Sequence, residues 1–286
     1  MIMPQLIQPV RQGHALIQEM RSARPAPGSL AVWWLGQSGY LFKSCSGTLV
    51  VDPYLSDALT LKYASTDRPH IRMTAAPCSG GDLPDVDLVL VSHRHTDHLD
   101  PDTLLPLLQA NPRAQVALPA ALLEFAGSRG IPPDRLIGLA AGDVCDRAGF
   151  SVRAIPSAHE SLETDPAGRH LCLGFLVESQ GIRFYHPGDS IVYDGLVEAL
   201  EATPCDAFFL PINGRDPRRG VPGNMNSAEA VDLAGRCRPR YLIPHHYDMF
   251  TFNTVPVAEF LTEARRLPAC VSPVVLSCGQ RWELAR

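Results

Sequence analysis

Residues Ser92 to Asp100 read Ser-His-Arg-His-Thr-Asp-His-Leu-Asp, placing three imidazoles and a carboxylate within the six residues His93 to His98, directly after the apolar run Val86 to Val91. No other stretch constrains the chain as strongly. Neutral imidazole and carboxylate are the ligands of zinc, manganese and iron, and their spacing decides how they are used. His93 and His95, two apart, point to the same side of a strand end. Asp97 and His98 follow where a helix begins and turn toward a second point a few ångströms away. One short loop thus provides half of each of two metal shells.

The completing residues should also lie just past strands. His159 follows the strand-like run Ser151 to Ile155, and Asp189 follows Arg183 to His186, where Gly188 lets the backbone turn the carboxylate inward. His245 and His246 follow Tyr241 to Ile243. A lone histidine after a strand is usually an ordinary core or surface residue, but together these complete a shell of the size that two ions need.

The surrounding pattern is α/β. His14 to Ser22 predicts a short amphipathic helix stopped by Pro25 and Pro27. Strands are expected at Leu30–Leu35, Tyr40–Lys43 and Thr48–Val51, with glycine turns between them. Tyr54 to Pro84 is polar, dotted with proline and aperiodic, which predicts a long loop whose Tyr54, Lys62, Arg68, His70 and Arg72 are solvated or contact a substrate. Beyond the His-rich loop come a helix at Pro101–Gln109 capped by Asp100, a strand at Gln115–Leu118, a helix at Ala120–Ser128, and strands at Leu136–Leu139 and Gly149–Ile155. A hairpin follows at Leu171–Glu178 and Ile182–His186. Helices are then expected at Leu196–Ala202, Ser227–Cys237 and Pro256–Arg266. The strands that alternate with them or close the chain are Ala207–Pro211, Tyr241–Pro244, Val274–Ser277 and Arg281–Leu284. No linker divides this alternation, so residues 29–286 read as one domain preceded by an N-terminal extension, 1–28.

Composition narrows the function. In 286 residues with 45% hydrophobic content there is material for a large core, while a net charge of −5 without any Lys/Arg block speaks against nucleic acid. Eight cysteines without a C-x-x-C pair read as free thiols of a reducing, cytoplasmic compartment. Residues 1–24 lack the apolar core of a signal peptide, and no run of about eighteen apolar residues marks a membrane span. The expected partner is a small anionic molecule, with a homo-oligomer allowed. Arg215, Arg218 and Arg219, in a Gly/Pro-bounded loop, are candidates to dock its charge, assisted by Asn213 and Asn224. No Ser-His-Asp or Cys-His arrangement competes.

The order H-x-H-x-D-H, His, Asp, His resembles the metallo-β-lactamase superfamily. Ala31 to Tyr40, Tyr185 to Ser190, Pro211 to Met225 and Ile243 to Phe250 look like its L-ascorbate-6-phosphate lactonase branch, whereas Pro-Ser-Ala-His-Glu at 156–160 is closer to the superfamily at large. The resemblance implies a four-layer αββα sandwich with a dinuclear site. It assigns His93, His95 and His159 to one ion, Asp97, His98 and His246 to the other, and Asp189 to a bridging position. His246 is chosen over His245 because the branch reads Pro-x-His, which leaves His245 beside the ligands. The branch implies manganese and the superfamily more often zinc; a His/Asp shell also accepts iron.

The activity implied is hydrolysis of a phosphorylated sugar-acid lactone such as L-ascorbate 6-phosphate. Hydroxide shared by two cations would be the nucleophile, and Asp97 or His245 would pass a proton to the departing alkoxide. A phosphodiesterase or other ester hydrolase of the same fold is the nearest alternative, and a metal-binding sensor without turnover is another.

Overall fold

A computed structural model describes residues 6–286. The chain forms two seven-stranded sheets. The first contains β1 (Ser29–Gly36), β2 (Gly39–Lys43), β3 (Thr48–Val51), β4 (Leu88–Leu90), β5 (Gln115–Pro119) and β6 (Leu136–Leu139) in that spatial order, with β14 (Arg281–Ala285) beyond β1. The second runs from β7 (Val144–Arg147) through β8 (Phe150–Pro156), β9 (Leu173–Ser179), β10 (Ile182–His186), β11 (Ala207–Pro211) and β12 (Tyr241–His245) to β13 (Ser272–Pro273). Each sheet is antiparallel in one half and parallel in the other, the change falling at β3 in the first and at β10 in the second.

Strand alternation sends successive side chains to opposite faces, and in β1 both faces are covered, so all eight residues are buried. Val32, Trp34, Phe42 and Leu90 point between the sheets and meet Phe175, Phe184 and Phe209. The rings of Phe42 and Phe184 stack with centroids 4.2 Å apart. Ala31, Trp33, Leu41, Val50 and Val89 point the other way, against α1 (Gly13–Ser22) and α3 (Pro101–Ala110). The outer face of the second sheet is covered by α5 (Leu196–Glu201), α6 (Ser227–Cys237) and α7 (Val257–Glu263). The result is the expected four-layer α/β sandwich.

Several local expectations change. Within the expected N-terminal extension, α1 packs on the sandwich: Leu16 and Met20 are fully buried beneath the first sheet, and Trp33 Nε1 donates to Glu19 Oε2 at 3.0 Å. The long loop holds a short helix, α2 (Ala58–Lys62), and is more anchored than solvated. Tyr54 is fully buried, and Arg72 is buried against Asp57 at 2.7 Å. The helix expected at 120–128 is a 3-10 turn followed by α4 (Leu123–Ser128). β7 is an edge strand that polar alternation concealed, and the last edge pairing falls on Ser272–Pro273 instead of on 274–277, whose Val274 and Val275 pack on the core. All eight cysteines are free, and no helix among the described residues is long and apolar enough to cross a membrane.

Candidate metal centre

The His-rich loop leaves β4 at the edge where β3 also ends, and Asp52 joins the two. Asp52 adopts a left-handed backbone (φ 42°), and its Oδ1 accepts from Ser92 N at 2.7 Å. Its Oδ2 accepts from Ser92 Oγ at 2.6 Å and faces His98 Nδ1 at 2.8 Å. Since the Ser92 hydroxyl is committed to Asp52, it accepts from His93 Nδ1, 3.0 Å away. Both imidazoles are thereby held with Nε2 toward the site, the arrangement by which an outer hydrogen bond sets a ligand's tautomer and direction. Helix α3 begins directly behind the loop, capped by Asp100, whose side chain accepts from Asp102 N at 3.2 Å.

The other donors converge from three strand ends. His159, past β8, has Nδ1 3.1 Å from Gly223 O, which leaves Nε2 free. Asp189, past β10, lies with Oδ1 3.3 Å from His98 Nε2 and with Oδ2 3.2 Å from His246 Nε2 and 3.8 Å from His159 Nε2. Gly188 permits this approach: its φ is 64°, and a Cβ there would sit 2.3 Å from Ser92 Cβ and Oγ. His246, past β12, is also left-handed (φ 62°), and its N–H donates to Gln37 O at 3.1 Å. Gln37 Nε2 in turn donates to Asp97 Oδ2 at 2.8 Å and lies 3.1 Å from His246 Nε2.

Three groups of donor atoms lie within 4.8 Å of one another: His93, His95 and His159; His93, His98 and Asp189; and Asp97, His98 and His246. The seven residues expected from the sequence are thus in one place, with Asp189 between the first group and the third. The chemistry of the set fits divalent cations. His93 Nε2 is buried without a hydrogen-bond partner, a costly state for a polar atom unless a ligand takes its lone pair. Burial and the neighbouring His159 imidazole hold His95 neutral, its pKa lowered to about 4. Burial likewise pushes His93 well below its ordinary value, with His98 and His95 adding to the shift. For His98 burial opposes the charge, but Asp189, Asp52 and Asp97 outweigh it and raise the pKa well above the usual range. Burial also disfavours ionised Asp189, yet His246 and His98 hold its carboxyl well below the carboxylate range.

The cluster forms the floor of a cleft of about 460 Å3, to which His95, Asp97, His159, Asp189 and His246 contribute. The five residues expected as substrate contacts are engaged within the protein. Arg215 is paired with Glu229, Arg218 with Asp216 at 2.7 Å, and Arg219 donates to Asn213 O at 2.6 Å; none lines the cleft. Asn213 and Asn224 are buried and bonded to each other, Asn224 Nδ2 to Asn213 Oδ1, at 3.0 Å. These polar groups hold the loop together because nearby acids and carbonyls satisfy them.

His245 is corrected as well. It points into the core, fully buried, with its ring stacked on His186 at 4.9 Å, so it cannot hand a proton to a substrate. The cations that do line the cleft are Lys62, Arg94 and Arg129. Sequence reasoning missed Asp52 and Gln37 as positioning residues; Asp52 carried the same signal as the ligands, a polar residue just past a strand.

The family model described as "Beta-lactamase superfamily domain" matches residues 48–247. An N-acyl-phosphatidylethanolamine-hydrolyzing phospholipase D from Caenorhabditis elegans is 27% identical over 268 residues, covering 87% of this chain and 74% of its own. A protein named as a probable L-ascorbate-6-phosphate lactonase from Salmonella choleraesuis is 24% identical over 269 residues, covering 84% and 75%. Among solved structures, a metallo hydrolase from the archaeon Ignicoccus hospitalis superposes with a TM-score of 0.66 at 18% identity, covering 90% of this chain and 99% of that one. The matched family, spanning most of the sandwich and all seven donors, agrees with the site built above. The chain therefore belongs to the metallo-β-lactamase superfamily and is a metal-dependent hydrolase.

Proposed function

We propose that this hydrolase opens the lactone, or a related carboxylic ester, of a small anionic molecule, a phosphorylated sugar acid such as L-ascorbate 6-phosphate being the best fit. One observation carries the reading: the groups His93/His95/His159 and Asp97/His98/His246 flank a shared Asp189 on the floor of a single cleft. Two ions are assigned there, manganese or zinc, with iron compatible, because the donors are imidazole and carboxylate without thiolate. Bound divalent cations supply Lewis acidity, lowering the pKa of water toward neutrality and stabilising charge on a carbonyl oxygen.

The protein's own part is orientation and proton traffic. Water adds to the carbonyl carbon, the ring C–O bond breaks, and the proton lost by water ends on the departing alkoxide. Asp97 lines the cleft; burial disfavours its ionised form, but in the metal-free protein His98 lowers its carboxyl below the ordinary value. It is the group placed to accept that proton and deliver it. Gln37 fixes Asp97 through Oδ2.

Metal analysis of protein purified without added metal, followed by a panel of lactones assayed with the metal found, tests this. The expected result is two ions per chain and lactone turnover that His93→Ala abolishes. A saturating stoichiometry of one ion, or a variant with wild-type turnover, removes the assignment. A phosphodiesterase is the second reading, favoured by the similarity to a phospholipase D. Faster cleavage of bis-p-nitrophenyl phosphate than of any lactone selects it.

A further inference from the structure

His159 stands three residues past β8, on the connection that runs from Pro156 to Leu173 between β8 and β9. The chain is anchored up to Ala158: Ser157 Oγ donates to Pro187 O at 2.9 Å, and Ala158 N to Ser190 Oγ at 3.2 Å. From His159 to Leu162 the only hydrogen bonds among the described residues go to Gly223, on the loop between β11 and α6. His159 Nδ1 lies 3.1 Å from Gly223 O, and Gly223 N–H donates to Glu160 Oε1 at 2.8 Å. Gly223 thus grips the ligand by its carbonyl and the ligand's neighbour by its N–H.

Both sides of this grip are built. Glu160 has a left-handed backbone (φ 71°), which residues other than glycine adopt at a cost, and the turn brings its carboxylate back onto Gly223. Gly223 is buried, and the stem of Arg215 fills the space beside it: a Cβ added at Gly223 would lie 2.7 Å from Arg215 Cβ. Arg215 is held in turn by Glu229. The peptide whose carbonyl meets His159 also donates through Asn224 N to Gly214 O at 3.2 Å. Met225 N donates to Ser190 O at 2.8 Å, which ties the loop to the segment that carries Asp189.

We propose that Glu160 is a positioning residue of the metal centre: with Gly223 it forms a two-point clamp that holds His159 Nε2 toward the ion of the His93/His95/His159 group. A hydrogen bond at Nδ1 sets the tautomer and the direction of the ring. That bond alone leaves the connection free to pivot about the imidazole, and the Glu160 contact removes the pivot. Glu160 belongs to no donor group and does not line the cleft, so it acts on the reaction only through His159. The restriction to one ion rests on the two-ion assignment above; the clamp itself does not.

Cobalt(II) titrated into the metal-free protein and followed by its visible absorption tests this, because ligand-field bands report the geometry at each ion and need no turnover. In Glu160→Ala one ion should bind roughly tenfold more weakly, the low end of the cost of losing an outer partner, while the other stays within about threefold of wild type. Glu160→Gln keeps an acceptor oxygen and should stay within about threefold at both ions. Glu160→Gly separates positioning from folding. It relieves the left-handed backbone, so the metal-free protein should melt no lower than Glu160→Ala, yet the same ion should weaken as much. Wild-type affinity at both ions in Glu160→Ala, a Gln variant as weak as the Ala one, or losses at both ions that follow the melting temperature overturn the proposal. The two-ion assignment fails separately, as wild-type protein that saturates with one ion per chain; the clamp then stands or falls on whether that ion weakens in Glu160→Ala.

Discussion

Asp52 Oδ2 lies 2.8 Å from His98 Nδ1, with both side chains fully buried, so a carboxylate outside the donor groups holds one imidazole of the centre in place. The same carboxylate fixes Ser92, and through Ser92 it fixes His93. One residue at the end of β3 therefore orients a donor in each of the two groups.

Asp52→Asn should weaken metal binding by about 10- to 100-fold, the usual cost of losing an outer partner of a metal-bound histidine. An amide has one acceptor oxygen and cannot replace both carboxylate oxygens, which receive from Ser92 N on one side and from Ser92 Oγ and His98 on the other. Chelator competition measures the change directly, and an affinity within about threefold of wild type would show that His98 needs no orienting partner.

The donors were legible in the sequence because each sits one to several residues past an apolar run, and an α/β sheet gathers strand ends at one edge. Asp52 satisfied the same criterion, but Asp52-Pro53 reads equally well as a turn. The cations that line the cleft were not legible. Lys62 and Arg129 reach the cleft only through the path of α2 and α4, which no periodicity specifies, and Arg94 was hidden by the ligands on either side of it. Arg215 looked free because its partner Glu229 is fourteen residues away, and only the fold brings the two together.

Gly188→Ala should cost about 2 to 5 kcal/mol, combining a left-handed conformation with overpacking. The added Cβ would lie 2.3 Å from Ser92 Cβ and Oγ, and Ser92 cannot retreat while Asp52 holds both its N–H and its hydroxyl. Urea denaturation of the metal-free protein reads this cost. In Gly188→Ala combined with Ser92→Gly the clash is removed, so stability should recover in part, leaving a coupling energy that the single variants do not predict. Strictly additive losses would mean that Gly188 is required for its backbone conformation alone.

Metal uptake at pH 7 should release the proton that His98 carries. His98 is the source. Asp189, Asp52 and Asp97 raise its pKa against burial, so the metal-free protein holds it charged at neutral pH, and coordination through Nε2 requires that proton to leave. His93, His95 and His159 run the opposite way. Burial lowers all three, His95 to about 4 against an ordinary imidazole value of about 6.5, so His93 and His95 bring no proton to release at neutral pH. Calorimetric titrations with metal in buffers of different ionisation enthalpy count the protons released at pH 7. No release at pH 7 would mean that the three carboxylates around His98 leave it neutral.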